Sequence, residues 1–209
     1  MRNCGRYWRA LVPTAVAAAA VALIFGSAPA ALAAACPPPP SVVNPFLPWG
    51  DGLDYVPVTD GSFEPIAKGS KDRPWSLTGN AAIVSDNEPW YIDGDSSDNS
   101  ALLLQEGDQA TSACTTAPQI ASTVRFFVQN VGSATGRLHV EILVNGGKNG
   151  VLDGGDISAG PTWQPSDVIV LPWAQPLKGA VDLRVRLTPE GAGAAFEVDD
   201  VYIDPCRGR

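Results

Sequence analysis

The sequence holds one histidine and one methionine in 209 residues, and only 17% of it is charged. One histidine excludes a three-histidine metal site. It also leaves a Ser-His-Asp triad a single candidate base, His139, and no G-x-S-x-G is present to supply the nucleophile. A P-loop and a G-x-G-x-x-G are both absent. No stretch of useful length carries apolar residues at helical spacing, because 21 Gly and 19 Pro interrupt the chain at short intervals. Bases are scarce: 14 Lys and Arg stand against 22 Asp and Glu, a formal charge of −8. That balance disfavours nucleic acid and anionic membranes as partners.

The one long uncharged run lies at the start. Arg2, Arg6 and Arg9 precede an Ala- and Val-rich stretch from Leu11 to Phe25, and Pro29 and Ala31-Leu32-Ala33 follow. This is the basic, apolar and A-x-A pattern of a secretory signal peptide, assigned to residues 1–33. Pro13, Gly26, Ser27 and Pro29 argue against a straight membrane-spanning helix instead. Cys36 follows Ala33-Ala34-Ala35, but Leu32 stands one place too early for a lipobox. The expectation is therefore an exported protein with no membrane attachment after cleavage. Losing three Arg moves the charge from −8 to −11 and leaves about 176 residues, enough for one core.

Of the four cysteines, Cys4 leaves with the signal. Export favours pairing among Cys36, Cys114 and Cys206, but three connectivities remain open. None has the close spacing of a cysteine zinc site.

Residues 34–50 contain the run Pro37–Pro40 and further prolines, and are read as an extended arm lying on the domain. Strand signals dominate residues 51–209. Val124, Phe126 and Val128 alternate with Arg125, Phe127 and Gln129. Leu138, Val140, Ile142 and Val144 alternate with His139, Glu141 and Leu143, and Val181, Leu183, Val185 and Leu187 with Asp182, Arg184 and Arg186. Period-two alternation predicts one row inward and the other outward. Shorter strands are predicted at 81–85, 90–92, 101–104, 109–113, 168–171 and 195–203. Asp-Gly and Asn-Gly pairs between them mark turns. The pattern predicts an all-β antiparallel sandwich or barrel. In the last strand the apolar parity switches from Phe196 and Val198 to Val201 and Ile203. A β-bulge at Asp199-Asp200 would do this, sending one aspartate to an end loop and the other to solvent.

Asn145 to Asp156 partly fits an EF-hand loop, but Asn, Gly and Asp stand where ligands of other types belong, and no helices flank it. A long hairpin loop is the better reading. Asp86 to Asp98 holds Asp86, Glu88, Asp93, Asp95 and Asp98 with Trp90 and Tyr91 and no base. Aromatic planes beside carboxylates suit sugars, whose C–H faces stack and whose hydroxyls donate. Burying roughly 100 Å² of apolar surface is worth ~2.5 kcal/mol before ordering costs. Trp90 and Trp173 adjoin prolines in expected loops and are the candidate platforms, with Tyr91 beside the first. Trp75 and Trp163 read as core. His139 reads as a surface histidine. Paired-carboxylate hydrolysis has acids in plenty, but neighbours such as Asp199 and Asp200 point apart, and a sandwich this small rarely holds a deep cleft.

Asp60-Gly61-Ser62-Phe63-Glu64, then Trp75-Ser76-Leu77-Thr78-Gly79, then Phe196-Glu197-Val198-Asp199-Asp200-Val201-Tyr202-Ile203 resembles the galactose-binding-like jelly roll used by many carbohydrate-binding modules. Residues 36–209 also resemble a family of secreted actinobacterial proteins. The matching stretches are Pro45–Asp51, Gly61–Glu64, Asn87–Trp90, Arg125–Phe127 and Asp199–Pro205, and none of them points to an activity. The resemblance implies a Cys36–Cys114 disulfide, with Cys206 left over. It also implies a structural calcium site where Glu64 and Asp200 meet as the first and last strands run together. Ca²⁺ takes 6–8 hard oxygen ligands, which carboxylates and backbone carbonyls supply.

The expected fold is thus a jelly-roll β-sandwich. The expected function is that of a secreted, monomeric, non-enzymatic module that binds a polysaccharide or a cell-envelope glycan. A structural or adhesive envelope protein without a small ligand comes second, and a small carbohydrate-active hydrolase or lyase third.

Overall fold

The computed structural model describes residues 36, 41–64, 75–92, 94–117, 123–172 and 181–204. Residues 1–33, expected to be a signal peptide, the Pro37–Pro40 run, Trp173 and Cys206 lie outside them. Among the described residues thirteen strands follow in chain order: β1 (Val56–Pro57), β2 (Ser76–Thr78), β3 (Ala82–Val84), β4 (Ala101–Gln105), β5 (Gln109–Thr111), β6 (Thr115–Ala117), β7 (Thr123–Asn130), β8 (Arg137–Val144), β9 (Val151–Ile157), β10 (Gln164–Pro165), β11 (Ile169–Val170), β12 (Val181–Glu190) and β13 (Ala195–Ile203). The only helical element among the described residues is a 3-10 turn at Leu47–Trp49.

The strands form two antiparallel sheets. One runs β10-β7-β13-β4-β3, with β1 pairing β13 and β11 pairing β7. The other runs β2-β5-β12-β8-β9, with β6 pairing β12. The chain passes repeatedly from one sheet to the other, and together they make a jelly-roll β-sandwich. The alternation expected from the sequence sets the facing rows. Phe126 and Val128 of β7, Leu102 and Leu104 of β4, and Phe196 and Val198 of β13 meet Leu138, Val140 and Ile142 of β8 and Leu183, Val185 and Leu187 of β12, all fully buried. Trp75 joins this core, its ring 5.0 Å from that of Phe63 and its indole N–H donating to the Asp60 carbonyl at 2.9 Å. Cys36 and Cys114 are disulfide-bonded, the pairing the resemblance implies. Closing a loop of 78 residues is worth about 4.5 kcal/mol against the unfolded chain as an upper figure.

Four expectations need correction. Residues 90–92 form a turn rather than a strand, because Tyr91 adopts a positive φ of 51° and the Glu88 carboxylate gathers the backbone N–H groups of Trp90 and Ile92. The hairpin loop after β8 is shorter than expected. Asn145, Gly146, Gly147 and Gly150 at positive φ turn the chain at once, so Val151–Ile157 pairs with β8 as β9. The outward row of β7 does not face water: Phe127 is completely buried and Arg125 nearly so. Finally, the register of β13 against β7 shifts between Asp199 and Tyr202, as a bulge would require, but both aspartates are buried rather than one reaching solvent.

A strap covers that outer row. Val43 pairs with Tyr55 through two backbone hydrogen bonds of 2.8 Å, drawing residues 43–55 into a loop over the seven-stranded sheet. Phe46 at its centre stacks on Phe127 at 5.2 Å and meets Tyr55 and Tyr202 edge-on. This makes a second apolar cluster on the far side of the sheet from the main core. Arg125 fastens it: its guanidinium lies 4.5 Å from the Phe46 ring centre, donates to Asp51 Oδ2 at 2.8 Å and donates to the Ser166 carbonyl at 2.9 Å. Tyr55 donates its hydroxyl to the same Asp51 oxygen at 2.7 Å. Burial works against the Asp51 carboxylate, yet the Leu53 N–H, the Tyr55 hydroxyl and Arg125 together hold its pKa below the ordinary value.

Candidate functional site

The acidic loop between β3 and β4 lies against the edge of this strap. It is not a solvated run of acids. Glu88 is completely buried, and its two carboxylate oxygens accept from Trp90 N at 2.5 Å and Ile92 N at 2.7 Å. Its own N–H lies 3.4 Å from Asp199 Oδ2. A buried carboxylate that takes two backbone donors fixes the loop, and the loop then presents its aromatic side chains in a set position. Trp90 and Tyr91 remain 41% and 46% exposed. Trp90 meets Trp49 edge-on at 4.8 Å and leans on Phe127 at 5.5 Å, so one side of its ring is supported while part of it faces solvent. Large aromatic surface held open on a rigid base is the arrangement expected of a stacking platform. Trp173, the other expected platform, lies outside the described residues.

Two residues along the same face of β7 from Phe127 is Gln129, about 7 Å away by strand geometry. Its amide donates to Asp86 Oδ2 at 2.9 Å and to Glu197. Glu197 stands between Leu103 and Gln129 in the pairings of β13 with β4 and β7, and all three are half-buried. Burial, a hydrogen bond with Asp86 and the Asp86 charge raise the Glu197 pKa. Trp163, just before β10, packs against the second cluster. Its indole nitrogen and the Asn87 side-chain amide are buried without hydrogen-bond partners among the described residues. The outer face of the seven-stranded sheet thus carries an aromatic rim of Trp49, Trp90 and Tyr91 beside a polar patch of Asp86, Gln129 and Glu197. The sequence pointed to Trp90 and Tyr91. Gln129 and Glu197 went unnoticed because only the strand pairing brings them together.

The residues expected to hold calcium fall on adjacent segments. Val58 N donates to the Val201 carbonyl at 2.8 Å, and Val201 N to the Gly61 carbonyl at 3.1 Å. A Cβ on Gly61 would stand 2.7 Å from the Val201 oxygen, so only glycine permits this approach. The Glu64 carboxylate, however, turns to residues 98–100. It accepts from Asn99 N at 2.8 Å and has the Asp98 carboxyl beside it. Burial opposes its charge, but this bond and those from Ser100 keep its pKa below the ordinary value. Asp200, at a φ of 49°, donates its N–H to Asp199 Oδ1 at 2.8 Å. Burial first, and then the charges of Asp200 and Asp98, push the Asp199 pKa up to about 10. Burial and the Glu64 charge raise that of Asp60 to about 6. Asp98 therefore acts on both Glu64 and Asp199; the sequence reading placed it in the acidic loop and Asp60 in the Asp60–Glu64 motif, and assigned neither to the calcium site. A groove of about 600 Å³ opens beside this group, lined by Asn44, Asp60, Ser62, Ile92, Asp200 and Tyr202 among others.

No family model matches the chain, and no curated protein does. Solved structures do. The chain is similar to the CBM22-1 xylan-binding domain of Paenibacillus barcinonensis Xyn10C, at 13% identity over 69% of this chain and 90% of that one, with a TM-score of 0.42. It is similar to a family 11 carbohydrate-binding module from Clostridium thermocellum in complex with a β-1,3-1,4-mixed-linked tetrasaccharide, at 11% identity over 68% and 91%, TM-score 0.38. It is also similar to a glycoside hydrolase family 43 arabinoxylan arabinofuranohydrolase from Bacillus subtilis, at 16% identity over 62% of this chain and 26% of that one, TM-score 0.41.

Proposed function

We propose that the chain is an exported, non-enzymatic module that binds a polysaccharide or cell-envelope glycan on the outer face of its seven-stranded sheet. The observation that carries the reading is the pairing of a supported, 41% exposed Trp90 with the amide and carboxylates of Gln129, Asp86 and Glu197. Such a surface offers an aromatic face to sugar C–H groups and both donors and acceptors to hydroxyls. Binding of this kind is weak per contact and uses several contacts along a chain. The histidine is on the other sheet, where it pairs with Asp156 rather than with a nucleophile. Export follows from the reading of residues 1–33.

Pull-down on insoluble polysaccharides and peptidoglycan, followed by titration on whichever retains the protein, tests the function. Loss of ~100 Å² of stacking surface in Trp90→Ala removes up to ~2.5 kcal/mol, so affinity is expected to fall by as much as about seventyfold while circular dichroism shows the fold retained. Retention unchanged by Trp90→Ala would remove the platform. Release of reducing sugar would replace the binding module with an enzyme.

A structural calcium ion accompanies this reading. The side chains of Asp60, Glu64, Asp98, Asp199 and Asp200 are all oxygen donors, the last three of them buried, a chemistry that suits a hard divalent cation, although no three of them bring ligand atoms within 4.8 Å of one another. Glu64 and Asp200 would hold it, with Asp98 as the bridging carboxylate. Its role would be to fasten the segment before residue 65 to the end of β13.

A further inference from the structure

The outer face of the six-stranded sheet carries the chain's one histidine, and three neighbouring strands converge on it. In the register of β8 with β9, His139 stands opposite Asp156, and in that of β8 with β12 it stands opposite Thr188, two residues from Glu190 on the same face. His139 Nδ1 lies 2.6 Å from Asp156 Oδ1, and its Nε2 lies 3.9 Å from Asp153 Oδ1. One ligand atom each from His139, Asp156 and Glu190 fall within 4.8 Å of one another, the only such group among the described residues.

The local backbone is shaped for this convergence. Residues 153 and 156 of a regular strand would point to opposite faces. The pairing of β9 with β8 shifts between Val140 and Glu141, placing Gly155 opposite the one and Asp153 opposite the other. Gly154 is the extra residue, and Gly155 takes a φ of 81°. A β-bulge at this glycine pair turns both aspartates to the histidine, the re-aiming of a side chain that bulges provide. A Cβ on Gly154 would meet Ile169 Cγ2 at 2.8 Å and the Val140 carbonyl at 2.9 Å, so the bulge is closely fitted. No lysine or arginine forms an ion pair with Asp153, Asp156 or Glu190 among the described residues. Even a protonated imidazole leaves the four groups at a net −2.

We propose that His139, Asp156 and Glu190, with Asp153 alongside, bind a divalent transition-metal ion of the zinc class on this face. One imidazole nitrogen and carboxylate oxygens form a mixed donor set that zinc accepts, with water completing a tetrahedron. Calcium, which takes oxygen donors, gains nothing from the imidazole. The metal would replace the proton that now joins His139 to Asp156. The site lies on the opposite sheet from the glycan surface and does not depend on that reading.

The single histidine gives an assay without mutation. Adding Zn²⁺ to the full chain is expected to shift the imidazole C–H resonances of His139 and to saturate at one ion per chain. By calorimetry, His139→Ala should weaken Zn²⁺ binding at least tenfold and Glu190→Gln severalfold, with the melting temperature of Glu190→Gln unchanged because that side chain is exposed. Millimolar Ca²⁺ should not displace the zinc. Imidazole resonances unmoved by 1 mM Zn²⁺, undiminished affinity in His139→Ala, or equal competition by Ca²⁺ would each overturn the proposal.

Discussion

Replacing Phe46 by alanine removes the centre of the strap. Phe46 is completely buried and touches three rings, at 5.1 Å to Tyr55, 5.2 Å to Phe127 and 5.7 Å to Tyr202, with the Arg125 guanidinium 4.5 Å above it. Truncation of a buried phenylalanine costs about 3–5 kcal/mol, and the lost cation–π contact falls within that figure. The lower end applies here, since the cluster sits under a loop and can partly collapse. For a chain of this size about 3 kcal/mol lowers the melting temperature by roughly 10 °C. Thermal melts by circular dichroism read the shift. Tryptophan emission should move to longer wavelength in the folded variant, because the loosened strap carries Trp49 and Trp90 rests on Trp49. Glycan affinity should fall with it, because the strap carries Trp49, against which the platform rests. Phe46→Leu should recover about half the stability. A drop of under ~3 °C in Phe46→Ala would show that the strap lies on the sandwich without belonging to its cooperative unit.

Asp51→Asn tests the polar fastening of the same strap. The variant keeps the shape but weakens two charge-assisted hydrogen bonds and leaves Arg125 buried without its counter-ion, at an expected cost of about 1–3 kcal/mol at neutral pH. The native pKa of Asp51 is lowered, so its contribution is complete above the unfolded value near 4 and disappears as pH falls through the native one. Denaturant midpoints of the two proteins should therefore differ at pH 7 and converge as pH falls below the unfolded value and through the native one; a gap independent of pH would assign the loss to packing. For the proposed calcium site, a chelator should lower the melting temperature of the parent chain and have little effect on Glu64→Gln, whereas an unchanged parent melt removes the ion.

The sandwich was legible because burial there follows one rule, period-two alternation. Leu138, Val140, Ile142 and Val144, and the parity switch at Asp199-Asp200, each point to the core from within a single strand. The outer face was not legible, because it obeys a rule that strand patterns do not express. Phe127 stands in an outward row, and nothing in β7 says that a segment some 80 residues earlier covers it; Phe46 and Tyr55 do so only after the Val43–Tyr55 bridge has formed. The same holds for the acids. As sequence, Asp86 to Asp98 is an acidic loop offered to a ligand, yet Glu88 and Asp98 are buried, one ordering a turn and the other standing beside Glu64. A carboxylate can be buried only if donors or cations meet it, and its partners come from elsewhere in the chain. The difference between Glu88 and Asp199 follows from this. Glu88 is met by two backbone N–H groups. Asp199 is met by two as well, but it also faces Asp98 and Asp200, and those like charges reinforce what burial does to its pKa. The chain therefore concentrates its electrostatic cost at the end of β13, next to the groove, while the aromatic rim stands over acids that are already satisfied. That division separates where a sugar would stack from where a cation would bind, and it comes from strand pairing rather than from either motif alone.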